Sequence, residues 1–75
     1  MIIFTRHAIL KLGQRNISRN LVVKTLNSPD KILPTSENRK AAFKKFRKLY
    51  FKVIFRREGG DIIVITQYWT DKIGL

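Results

Sequence analysis

The stretch LYFKVIFRREGGDIIVITQYW, Leu49 to Trp69, decides how the chain is read. Two runs rich in β-branched and aromatic residues flank Gly59-Gly60, and a glycine pair accepts the positive φ values that a tight hairpin turn requires. With a two-residue loop, Glu58 lies opposite Asp61, and pairing continues through Phe55 with Val64, Val53 with Thr66 and Phe51 with Tyr68. Leu49, Phe51, Val53, Phe55 and Val64 then share one apolar face. The other face holds Tyr50, Lys52, Ile54, Arg56, Ile63, Ile65, Gln67 and Trp69, half basic and half apolar. Such a surface suits nucleic acid, a second copy of the chain or a segment of a partner.

Upstream, the β period extends back through AAFKKF, so that Lys40 to Tyr68 reads as consecutive strands, with a bend near Arg47-Lys48 that has neither Gly nor Pro. Lys31 to Thr35 reads as a short edge strand, because Pro34 lacks the N–H that a central strand needs. Ser36-Glu37-Asn38 is a polar turn. Before Pro29 the period is helical. Thr5 is an N-cap for a helix reaching about Lys11 or Leu12, with Gly13 in the left-handed position beyond it and Ile9 and Leu12 on its apolar side. Ser18 caps a second helix, Arg19 to about Asn27, with Leu21, Val22 and Leu26 inward, and Ser28-Pro29 ends it. Arg19, Asn20, Lys24 and Asn27 are thin polar reach for a reader of the DNA major groove.

Composition sets the outer limits. At 75 residues the chain is expected to form one domain, 1–75, whose core is a single layer deep. A hydrophobic fraction of 44% points to a folded chain rather than a disordered one. Cys 0 excludes disulfides, thiolate metal sites and a cysteine nucleophile, and fits a cytoplasmic setting. One histidine and five scattered acids offer no metal-ligand spacing, so no cofactor is expected. No apolar run approaches the ~20 residues of a membrane span, and no targeting signal is visible. Lys+Arg 16 against Asp+Glu 5 leaves a net charge of +11. That excess attracts polyanions, either nucleic acid or an acidic protein.

Within FTRHAILKLGQRNIS, His7, Lys11 and Arg15 follow i, i+4, i+8 on the first helix. Metal-independent RNA cleavage needs a proton carrier and cations at phosphorus, and His with Arg or Lys supplies both. The bland alternatives stay open: His7 stacking at a sheet edge, Arg15 capping helix carbonyls. Lys44, Lys45, Arg47 and Lys48 interleave with Phe43 and Phe46, as cations and rings do at single-stranded RNA sites, although charge runs are commonly just solvated. Lys52 and Arg56 share a strand face and suit phosphates or a carboxylate. Tyr68 is either core or an assisting hydroxyl, and Trp69 either stacks a base or seals an interface.

His7-Ala8, Arg15, Ile17-Ser18, the helix with Val22 and Leu26, Ser28-Pro29-Asp30 and the closing FKVIFRREGGDIIVITQYWT together resemble small RelE/ParE-like, BrnT-related toxins of type II toxin–antitoxin systems. The resemblance covers nearly the whole chain. It implies an α+β fold with ααββββ order, two N-terminal helices on a four-stranded antiparallel sheet. It also implies a metal-independent endoribonuclease acting on messenger RNA, often on the ribosome, and neutralised by an acidic antitoxin. On that reading His7, Arg15 and Tyr68 are catalytic, while Lys11, Lys45, Arg47, Lys52 and Arg56 hold RNA. The tail from Thr70 is too short for the C-terminal helix of larger relatives, leaving Tyr68 or Lys72 to stand in for residues carried there. A non-catalytic RNA- or DNA-binding module is the alternative.

Overall fold

Thr5 and Ser18 begin the two helices as their side chains dictate. A computed structural model describes residues 1–74. Thr5 Oγ1 accepts the Ala8 N–H at 3.1 Å and Ser18 Oγ accepts the Leu21 N–H at 3.2 Å, each cap contributing about 1 kcal/mol. The chain runs β1 (Ile2–Phe4), α1 (Arg6–Gln14), α2 (Arg19–Asn27), β2 (Lys31–Ser36), β3 (Arg39–Phe46), β4 (Leu49–Glu58) and β5 (Asp61–Thr70). One five-stranded sheet in the order β1-β5-β4-β3-β2 carries both helices. Ala8, Leu12, Ile17 and Val22 from the helical half meet Phe51, Val53 and Val64 of the sheet in one core cluster. Each large side chain buried there contributes about 1.5–3 kcal/mol.

The fold is α+β, but a four-stranded, wholly antiparallel sheet is not what forms. Ile2, Ile3 and Phe4 pair in parallel with Ile62, Ile63 and Val64. Ile62 N–H donates to Met1 O at 2.9 Å and Thr5 N–H to Val64 O at 3.1 Å. Three residues are too few to display a period of two, and their partner lies at the far end of the chain. No local pattern announces the pairing.

Helix α1 also runs past its expected end. Gly13 stays helical, and Asn16 takes the left-handed turn at φ 54. Arg15 N–H donates to Lys11 O at 2.9 Å and Ile17 N–H to Leu12 O at 2.9 Å, closing the helix. The short polar side chain of Asn tolerates that backbone region nearly as Gly does. Leu12 is buried as expected, together with the small contact Ala8, whereas Ile9 lies 47% exposed. Helix α2 has the expected bounds, with Val22 and Thr25 buried.

The β4–β5 hairpin keeps its expected register only from Glu58–Asp61 to Phe55–Val64. Ile65 then bulges out of the ladder, and pairing resumes as Ile54 with Thr66, Val53 with Gln67, Lys52 with Tyr68 and Phe51 with Trp69. One extra residue exchanges the two faces beyond it. Gln67 and Trp69 therefore turn to the helix side, and Tyr68 to the open side, the reverse of the uninterrupted register. The run Ile62-Ile63-Val64-Ile65 has no polar alternation from which the bulge could be located. Opposite the helices, Phe43 and Lys52 are nonetheless buried. Lys52 Nζ lies 5.3 Å from both the Phe43 and Tyr68 rings and donates to Gly74 O at 3.3 Å.

Candidate nucleic-acid interface

The β3–β4 turn brings the chain's basic run beside exposed Trp69 and half-buried Phe46 at one end of the sheet. Phe46 pairs with Leu49 across a two-residue turn in which Arg47 has φ 59. From β5, Trp69 packs edge-on against Phe51 at 5.0 Å and Phe46 at 5.7 Å between ring centroids. Trp69 nevertheless stays 41% exposed and Leu49 43%. Together with Lys45, Arg47 and Lys48 these residues line an open cleft of about 760 Å³. Lys24 of α2 joins the rim, its Nζ 5.7 Å from the Phe46 ring.

The cations of this rim form no salt bridge among the described residues, where the pairs are Met1–Asp61 and Arg56–Glu58. The nearby carboxylate of Asp30 accepts the backbone N–H of Lys45 at 2.7 Å. Apolar planes bounded by unpaired cations accept stacked bases and the phosphates between them, and each base–aromatic stack contributes about 1–3 kcal/mol.

The remaining candidates divide. Arg15 and Tyr68 come together at the outer edge of β5. The Arg15 guanidinium lies 5.4 Å from the Tyr68 ring centroid and its Nη1 donates to Gln67 O at 2.9 Å and Thr66 Oγ1 at 3.2 Å. His7 and Lys11 stand on the surface of α1, and Lys11 Nζ donates to Gln14 Oε1 at 2.9 Å. Among the described residues no hydrogen bond or ring contact joins His7 to Arg15 or Tyr68. Lys52, only 8% exposed, does not reach the surface. Arg56 is paired with Glu58 at 2.9 Å. Lys45 and Arg47 alone of the expected RNA-holding set reach the cleft. Lys24, expected only as thin polar reach from α2, and Leu49, expected only on the apolar face, join this site through the fold, since neither is near Trp69 in the chain.

No three His, Asp or Glu side chains among the described residues converge on a metal position. No helix there is long and apolar enough to cross a membrane. Comparison with protein-family models, curated proteins and solved structures finds no match to this chain.

Proposed function

We propose that the protein binds single-stranded RNA in the cytoplasm through the β3–β4 end of its sheet, with Trp69 and Phe46 offering stacking surfaces and Lys24, Lys45, Arg47 and Lys48 meeting phosphates. The observation that carries this reading is the open cleft that joins exposed Trp69 to three of these cations, none of them ion-paired. A net charge of +11 supports it through long-range attraction and counterion release.

A second reading adds catalysis: a toxin-type, metal-independent endoribonuclease acting on messenger RNA, on or off the ribosome, and silenced by an acidic antitoxin laid over the basic surface. The likeness to RelE/ParE-like toxins motivates it. The approach of Arg15 to Tyr68 favours it, since a cation and a phenol at an open strand edge can neutralise a phosphate and hand over a proton. His7 would have to reach that edge from the surface of α1.

One experiment addresses both. A fluorescein-labelled 12-nucleotide RNA is titrated in EDTA at several salt concentrations, and the same mixtures are run on denaturing gels. Binding whose log K falls linearly with log salt, weakened roughly 5- to 150-fold by Trp69→Ala, is the expected result. Salt-independent association, or none, overturns the RNA reading. Cleavage that disappears in Arg15→Ala and His7→Ala at unchanged affinity establishes the catalytic one, and intact RNA with every species, translated messenger included, rejects it.

A further inference from the structure

A second basic cleft lies at the opposite end of β3 from the Trp69 site. About 350 Å³ in volume, it is lined by Pro34, Ser36, Asn38, Arg39, Lys40 and Arg57. Lys40 pairs with Phe55, so Arg57, two residues further along β4, projects from the same sheet face beside it. Arg39, across from Ser36, completes the group as the chain leaves the turn at Asn38, φ 64. All three cations are exposed, and none belongs to a salt bridge among the described residues. The lining contains no carboxylate. Glu58, adjacent to Arg57 in sequence, is held by Arg56 at 2.9 Å, and Glu37 stands in the turn without lining the cleft. Three like charges drawn to one concavity repel one another, in a molecule already strongly positive, and an anion relieves that repulsion.

We infer that this cleft is a second phosphate site, holding the backbone of the same RNA strand whose bases reach Trp69. The inference rests on the RNA reading above and extends it. Lys40 and Phe46 stand six residues apart on β3, about 20 Å in an extended strand. A stacked single strand advances about 3.4 Å per nucleotide, so roughly six steps join the two clefts. The ligand is then a single strand of about seven nucleotides or more, stacked at one end and gripped by its phosphates at the other.

The test titrates fluorescein-labelled oligouridylates of 3, 5, 7, 9 and 12 nucleotides into the wild type and into the Lys40→Ala, Arg57→Ala double variant. Anisotropy and Trp69 fluorescence quenching are read together. Both positions are exposed, and circular dichroism checks that the fold is kept. Wild-type affinity should climb up to about seven nucleotides and then level off. The double variant should bind the trimer as wild type does, lose about tenfold on the 12-mer, and show a salt slope smaller by about 1.4, because two phosphates are no longer neutralised. Equal affinity of both proteins for the 12-mer, or no gain beyond the trimer, overturns the second site. Competition by inorganic pyrophosphate that the double variant abolishes, without any dependence on RNA length, marks a free-anion site and also overturns the continuous track. Absence of binding and quenching at every length rejects the RNA reading itself, and with it this extension.

Discussion

Gln67 shows how one side chain records the conflict between strand register and core chemistry. The Ile65 bulge turns it toward the helices, where it is fully buried. Its Nε2 donates to Ala8 O at 2.9 Å, while Oε1 has no partner. A buried acceptor left unsatisfied costs about 1–3 kcal/mol, against roughly 1 kcal/mol contributed by the bond on the other side of the amide. Gln67→Met preserves length and flexibility while removing both groups, and the carbonyl of Ala8 keeps its place in the helix. We expect the variant to be more stable by about 1 kcal/mol, a rise of some 4–8 °C in the midpoint of a thermal melt followed by circular dichroism. A lower midpoint would show that the amide stabilises the α1–β5 junction.

At the scale of elements, the β3–β4 turn contrasts with the other three sharp reversals. Asn16, Asn38 and Gly59 occupy left-handed backbone at φ 54, 64 and 61, which the short polar side chain of Asn and the missing Cβ of Gly both permit. The fourth such position is Arg47, at φ 59, whose long side chain gains nothing from that conformation. A left-handed non-glycine residue costs roughly 1–2 kcal/mol. Strain of this kind gathers at functional sites, and Arg47 lines the Trp69 cleft. Arg47→Gly relieves the strain but adds freedom to the unfolded chain, so the net gain should be about 0.5–1 kcal/mol in urea denaturation. The same variant should bind the 12-nucleotide RNA more weakly. Stability and affinity moving in opposite directions is the expected outcome. Unchanged affinity would leave Arg47 as a turn residue only.

At the scale of the whole molecule, a net charge of +11 is set against a core that a chain of 75 residues can build only one layer deep. Self-repulsion weakens the compact state, and anything that neutralises the surface strengthens it. Added sodium chloride should therefore raise the thermal midpoint of the free protein, because at 1 M the screening length falls to about 3 Å. Polyuridylate should raise it by a separate route. At a hundredfold excess over its Kd a ligand of the native state contributes about 2.7 kcal/mol. That second increment should vanish at 1 M salt, where phosphate contacts no longer hold. Thermal melts with and without polyuridylate at 0.05 and 1 M salt distinguish the two routes, and an increment that survives 1 M salt would show that the interaction is not chiefly electrostatic.

What the sequence determined by itself was local. Thr5 and Ser18 each cap a helix by reaching three residues along the chain, Ser28-Pro29 stops α2, Pro34 sits on an outer strand, and Gly59-Gly60 closes a hairpin. Each follows from one residue's own dihedral or hydrogen-bonding limits. The basic run at Lys44–Lys48 was legible from composition alone, but of its two interleaved rings only Phe46 lines the cleft, while Phe43 is buried on the other face. Only the tertiary structure decided the parallel pairing of Ile2–Phe4 with Ile62–Val64, the bulge at Ile65, and hence which of Tyr68 and Trp69 faces the helices. These depend on contacts between residues some sixty positions apart, and on which of four successive branched apolar residues slips from the ladder. The energy of that choice lies in packing against Ala8, Phe51 and the entry of α1, and no stretch of neighbouring residues carries it.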